Sequence, residues 1–131
     1  MIQTQGIQAK LADPSYFSGE VELKTLVESF GAEAASVFYV TFQPGARTHW
    51  HSHSGTQLLV VLAGHCRVQR WQQPWETAEA GDVVLIPAGE KHWHGASSEG
   101  SMTHIALNLN AETNWLEAVS ETQYAGEGWA L

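Results

Sequence analysis

The chain has 131 residues, the length of one domain, and at 44% hydrophobic it can bury a core without disulfide staples. Six Lys and Arg against 14 Asp and Glu give a formal charge of −8, which opposes a nucleic-acid or anionic-membrane partner. With no basic stripe and no apolar run near the roughly 18 residues of a membrane span, the expected partners are a small molecule and further copies of this chain, as a homodimer or homotetramer.

Residues 1–20 show no regular period and read as an arm that packs on a neighbouring subunit. The opening "MIQTQGIQAK" lacks the charged and then apolar regions of a signal peptide, so a cytoplasmic location is expected. Short alternating or β-branched runs follow: "VELKTLV" (21–27), "SVFYVTF" (36–42), "TQLLVVLA" (56–63) and "HCRVQRW" (65–71). "DVVLIP" (82–87), "KHWHGAS" (91–97) and "SMTHIALNL" (101–109) continue the series. "QPGA", Gly64, "AGD", "PAGE" and "SSEG" punctuate them, at the spacing of a sandwich or barrel. Only "AETNWLEAVSETQY" (111–124) reads as helix, with Thr113 as cap and Trp115, Leu116 and Val119 as the apolar face. Cys66 is the one cysteine, which excludes an intrachain disulfide and suits a reducing compartment; it reads as a small buried hydrophobe.

Six of the seven histidines fall in three strand-like segments, "RTHWHSHSGTQ" (47–57), "KHWHGAS" and "SMTHIALNL". In a strand, residues two apart share a face, so a regular strand through "RTHWHSHSGTQ" turns His49, His51 and His53 one way and Trp50 the other. Two imidazoles about 6.5–7 Å apart along a strand can lean onto one ion. Three are harder to converge, and the local pattern leaves open which belong. Gln57 is placed to reach back after the Ser54-Gly55 turn. His92 and His94 form a second pair, and His104 sits on the parity opposite Ile105 and Leu107. Trp50 and Trp93 read as outer-face packing, in reach of a subunit contact. Arg47 reads as a salt-bridge partner, His49 as a rim residue, His65 as solvated, and Glu90 with Lys91 as a solvated turn pair.

Two spacings resemble the cupin superfamily. Its first motif runs Gly, five residues, His-x-His, three or four residues, Glu, six residues, Gly; here stand Gly45, His51-Ser52-His53, Gln57 and Gly64. Its second runs Gly, five residues, Pro-x-Gly, two residues, His, three residues, Asn; here stand Gly81, Pro87-Ala88-Gly89, His92 and Ala96. The resemblance implies an all-β fold, a double-stranded β-helix or jelly-roll barrel, as one domain over 1–131 with its core at 36–109. It assigns His51, His53 and His92 to one divalent transition metal ion, Mn or Fe foremost, with Ni or Zn as substitutes. Gln57 stands where the family has Glu, and Ala96 where it has Asn. A neutral Gln57 oxygen completes the ligand set and leaves the ion its full charge, strengthening it as a Lewis acid.

The strings "PGARTHWHSHSGTQ", "PAGEKHWHGA" and "MTHIAL" further resemble small cupins related to carboxymuconolactone decarboxylase, among them the manganese-dependent cupin hydroxynitrile lyases. That likeness implies lyase chemistry on a small carbonyl or hydroxy compound, with His104 as acid and base. Phe38, Val40, His94 and Asn108 are the expected pocket residues. An iron-dependent dioxygenase and a binding module without turnover are the alternatives. Serine-triad, P-loop and dinucleotide signatures are absent.

Overall fold

The computed structural model describes residue 2 and residues 8–127. The strands in chain order are β1 (Lys10–Leu11), β2 (Phe17–Ser18), β3 (Val21–Phe30), β4 (Ala35–Phe42), β5 (Arg47–Thr48), β6 (His51–His53) and β7 (Gln57–Ala63). Then come β8 (His65–Arg70), β9 (Glu76–Glu79), β10 (Val83–Ile86), β11 (His92–Ala96), β12 (Met102–Leu109) and β13 (Thr113–Trp115). A single turn of helix, α1 (Glu121–Tyr124), follows. All pairings are antiparallel and fall into two sheets. One runs β1-β3-β4-β12-β7-β10; in the other β11 is the hub, pairing β5, β6 and β8. The fold is the double-stranded β-helix that the resemblance implies.

The alternation that drives this is plain in β7, where Gln57, Leu59 and Val61 are buried and Leu58, Val60 and Leu62 lie on the other face. Val61 packs with Val40, Phe42 and Met102 in the core, and Leu59 packs with Ile86 and Ala106. Gly64 joins β7 to β8 at a positive φ of 76°, and an added Cβ there would collide with the Ser101 carbonyl.

The outer face of the first sheet is also apolar. Leu85, Leu58, Leu107 and Val37 form one cross-strand row, and Val83, Val60, Ile105 and Tyr39 form the next. Leu85 is 69% exposed and Val83 53%. A strand solvated on one face normally alternates apolar with polar; this sheet does not.

Three sequence expectations are corrected. The C-terminal helix is present but does not span 111–124: residues 113–115 form β13, paired with β6, and the helix begins only after Ser120. Ser120 and Gln123 close a capping box there, so Ser120 and not Thr113 is the cap. The arm at 1–20 is not irregular throughout, since β1 and β2 pair with this chain's own β3 and β5; residues 1 and 3–7 lie outside the described residues. Trp50 and Trp93 do face away from the metal ligands, but they are 1% and 0% exposed. This chain's own Val119 and Tyr124 cover them, so no subunit contact uses them.

Candidate metal centre

β6, β7 and β11 bring His51, His53, Gln57 and His92 together inside the barrel. His92 lies directly across from His51 between paired strands, so both side chains share the inner face. The ligating nitrogens of His51, His53 and His92 all lie within 4.8 Å of one another, and all three residues are buried. His49 does not join them. β5 ends at Thr48 and β6 starts at His51, because Trp50 exchanges backbone hydrogen bonds with Glu117 and Leu116 of the tail. The break removes His49 from the shared face.

What His49 supplies is its carbonyl, which accepts from His51 Nδ1 at 2.8 Å. The Glu90 carbonyl does the same for His92 Nδ1 at 2.8 Å. A carbonyl only accepts, so in each ring the hydrogen sits on Nδ1 and the Nε2 lone pair points into the site. Burial, joined by the nearby His53 and opposed by the bond to the Glu90 carbonyl, holds His92 down to about 4. Burial also lowers His53 to about 4 and His51 well below its ordinary value. Near neutral pH these rings are uncharged lone-pair donors.

Gln57 donates from Nε2 to Asn108 Oδ1 at 2.9 Å, and its Oε1 lies 3.2 Å from His92 Nε2. Two acceptors therefore face each other across 3.2 Å with no hydrogen between them. Ligand atoms each about 2.1 Å from one ion and at right angles lie roughly 3 Å apart, so a divalent ion satisfies both. The donor set of imidazole nitrogen and carboxamide oxygen, without thiolate, suits Mn, Fe, Ni or Zn.

Beside this cluster His104 Nε2 lies 3.0 Å from His94 Nδ1. Both rings are buried, and their other nitrogens, His104 Nδ1 and His94 Nε2, have no partner among the described residues. Desolvation lowers His104 to about 4 and His94 well below its ordinary value, His94 being pressed further by His104. The register of β12 on β7 shifts between Thr103 and His104, an irregularity of the kind that re-aims a side chain beside a site.

His51, His53 and Gln57 of this cluster line a cavity of about 170 Å³ with His94 and His104. Phe38, Val40 and Asn108 line it as the sequence implies. Phe17, Phe42, Thr48, Thr113 and Trp115 line it too, and sequence reasoning missed them. Trp115 had been placed on a helix and Phe17 in an arm; each enters by a strand of two or three residues, too short to show a period. Tyr16 stacks on Trp115 at 4.7 Å and extends the aromatic wall. Among the described residues no carboxylate lines this cavity, so its polarity comes from neutral imidazoles, carboxamides and threonine hydroxyls.

The remaining flagged residues are structural. Arg47 is buried and donates to the Val119 carbonyl at 2.9 Å and to Glu121 at 3.0 Å, which ties it to the tail. His65 is exposed. Glu90 and Lys91 are not a solvated pair: Lys91 bonds Glu117 at 2.9 Å and sits over the Trp71 ring, and Glu90 holds His92. Cys66 is buried, and desolvation pushes its thiol up to about 12, so it is inert packing.

A family model described as "Cupin domain" matches residues 38–107. The chain belongs to the cupin family. A cupin-like protein of known crystal structure from Thermotoga maritima superposes with a TM-score of 0.87 at 36% identity, over 96% of this chain and 99% of that one. An (R)-mandelonitrile lyase from Granulicella tundricola is 39% identical over 127 residues, 94% of this cupin and 97% of the lyase. The polyketide cyclase RemF from Streptomyces resistomycificus shares the fold at a TM-score of 0.71 and 20% identity, over 95% of this chain and 89% of that one. Among the described residues, no helix of this cupin is long and apolar enough to cross a membrane.

Proposed function

We propose that this cupin is a metal-dependent lyase of the hydroxynitrile type, cleaving a small cyanohydrin to an aldehyde and cyanide and running the reverse addition. The observation that carries the reading is a buried, neutral His104–His94 pair in the same cavity as the three-histidine, one-glutamine cluster. The 39% identity to a mandelonitrile lyase supports it. His51, His53, Gln57 and His92 hold the ion, with Mn or Fe foremost, and when bound it supplies Lewis acidity toward the substrate hydroxyl or the departing cyanide.

The rest belongs to the chain. The His104–His94 pair takes the hydroxyl proton at an unpartnered nitrogen, His104 Nδ1 or His94 Nε2. The O–H electrons become the carbonyl π bond, the C–C electron pair leaves with cyanide, and the proton returns to cyanide as HCN. Phe38, Phe42 and Trp115 shape an apolar wall for the substituent. The cavity of about 170 Å³ compares with the roughly 150 Å³ that accommodates benzene in a protein interior, so one aryl ring fits.

The test is mandelonitrile cleavage by protein loaded with Mn(II) or Fe(II), with His104→Ala beside it. Loss of His104 should cost roughly 10²–10⁴ in rate and leave metal content unchanged. A variant that loses rate and metal together would make His104 a ligand or a structural residue. Oxygen consumption without aldehyde release would replace the lyase by a dioxygenase.

Self-association is part of the same reading, and the outer face of the first sheet is its site. A second copy covers it by two-fold packing of like on like. The two apolar rows cross four strands about 4.8 Å apart and form the centre of such an interface, to which each partner typically gives about 800 Å². Light scattering should give a dimer or larger assembly for the wild type and a monomer for Val83→Lys/Leu85→Glu, with unchanged circular dichroism. A monomeric wild type at micromolar concentration would refute it.

A further inference from the structure

Asn108 faces two ways. It pairs directly with Gln57 across β12 and β7, and its Oδ1 accepts the Gln57 Nε2 hydrogen at 2.9 Å. Two facing carboxamides can run in either direction, amino end to oxygen or oxygen to amino end. Reversed, the pair would turn the Gln57 amino group toward the imidazoles. An ion held by His51, His53 and His92 accepts only the Gln57 oxygen, and so selects the direction seen in the structure. The choice then propagates: Gln57 Nε2 must donate to Asn108, Asn108 must offer Oδ1, and its amino group Nδ2 is left over. Nδ2 has no hydrogen-bond partner among the described residues, and Asn108 lines the cavity.

We propose that Asn108 is a positioning residue for the metal centre and at the same time the donor that binds the acceptor atom of the substrate. That atom is a carbonyl oxygen or a nitrile nitrogen. The proposal rests on the metal reading and deepens the lyase one. The ion, two carboxamides and the substrate form one directed chain. Binding of the ion sets which end of Asn108 the substrate meets.

Two variants separate the two roles. Asn108→Asp keeps an oxygen for Gln57 Nε2 and loses the donor. Asn108→Leu loses both. Mn(II) affinity is read from the free-ion signal in electron paramagnetic resonance, and benzaldehyde affinity by calorimetry on the Mn(II)-loaded protein. Thermal unfolding of the metal-free proteins checks the fold. Asn108→Leu should bind Mn(II) about 10–100-fold more weakly, the usual effect of removing the partner that orients a ligand. Asn108→Asp should restore Mn(II) binding at least to the wild-type level and still bind benzaldehyde about 5-fold more weakly or worse, the size of one lost hydrogen bond.

Asn108→Asp losing Mn(II) as badly as Asn108→Leu would overturn the positioning role, as would Asn108→Leu retaining wild-type Mn(II) affinity. Benzaldehyde binding to Asn108→Asp at wild-type strength would overturn the donor role. If Asn108→Leu fails to fold, the split between metal and benzaldehyde in Asn108→Asp decides alone. Neither readout needs turnover, so a wild type that binds Mn(II) and benzaldehyde yet leaves mandelonitrile intact refutes the lyase reading only. A wild type that binds no Mn(II) refutes the metal reading and this proposal with it.

Discussion

Tyr124 donates its hydroxyl to the Ala96 carbonyl across 2.6 Å, which ties the tail to the strand that carries His92. The Tyr124 ring lies beneath two guanidiniums, Arg47 at 4.5 Å and Arg67 at 4.7 Å. Arg47 in turn donates to the Val119 carbonyl. Ala96 stands where the second cupin motif has Asn. In this chain the tail, and not a motif side chain, secures that end of β11.

The clamp predicts that Tyr124→Phe destabilises by about 1–2 kcal/mol, the effect of leaving a buried acceptor without its donor. Tyr124→Ala should cost about 3–5 kcal/mol through the cavity left between Trp93 and the two arginines. Urea unfolding of the metal-free protein measures both. A Tyr124→Ala midpoint equal to wild type would mean that the tail is not part of the cooperative fold.

Gln57 sets the charge of the metal centre, which predicts the outcome of restoring the family's carboxylate. In Gln57→Glu, Asn108 can turn its amide and donate, so the pairing survives. A carboxylate oxygen then replaces a neutral one, and Mn(II) should bind roughly 10-fold or more tightly, since charged ligands raise affinity for hard divalent ions. The bound ion is a weaker Lewis acid after partial neutralisation, so mandelonitrile turnover should fall while metal retention rises. Titration of Mn(II) and turnover at saturating metal read the two effects separately. Tighter metal with undiminished turnover would show that the neutral ligand is not tuned for chemistry.

The candidate ligand residues were legible through the cupin resemblance, since local strand parity left open which histidines belong. His51 and His53 are two apart on one strand, and Gln57 and His92 follow at the cupin intervals. His94 and Asn108 were legible through strand parity. Trp115 was not. Its position with Leu116 and Val119 imitates a helical face, and only pairing of Thr113–Trp115 with His53–His51, some sixty residues earlier, reveals a strand. His49, read as a rim residue, leaves the face it would share with His51 in a regular strand because the tail's backbone bonds to Trp50 break that strand. The Arg47 clamp and the cover over Trp50 and Trp93 likewise depend on contacts distant in sequence, which neither periodicity nor local propensity encodes.

The buried imidazoles also fix how stability depends on pH. Desolvation holds His104 at about 4, and His94, in contact with it, is lowered well below its ordinary value. The rings that face them, His51 and His92, are neutral for the same reason, and no cavity-lining carboxylate offers compensation. In the unfolded chain each histidine takes a proton near pH 6.5. Between about 6.5 and 4 the unfolded state therefore binds more protons than the folded one, and stability falls as pH falls. Above about 7.5 both states are neutral at these sites, and their effect is flat. Each such histidine contributes up to about 1.4 kcal/mol per pH unit inside the window. Between pH 6.5 and 5 ordinary carboxylates remain largely ionised, so the histidines dominate there. Urea midpoints of the metal-free protein at pH 7.5, 6.5, 5.8 and 5.0 should fall slightly over the first pair, as the unfolded histidines begin to take protons, and then drop more steeply. His104→Asn, which removes one such group, should show a shallower drop over the same range. A midpoint that holds from pH 7.5 to 5.0 would mean that these rings accept protons without unfolding, and the neutral His104–His94 pair would be wrong.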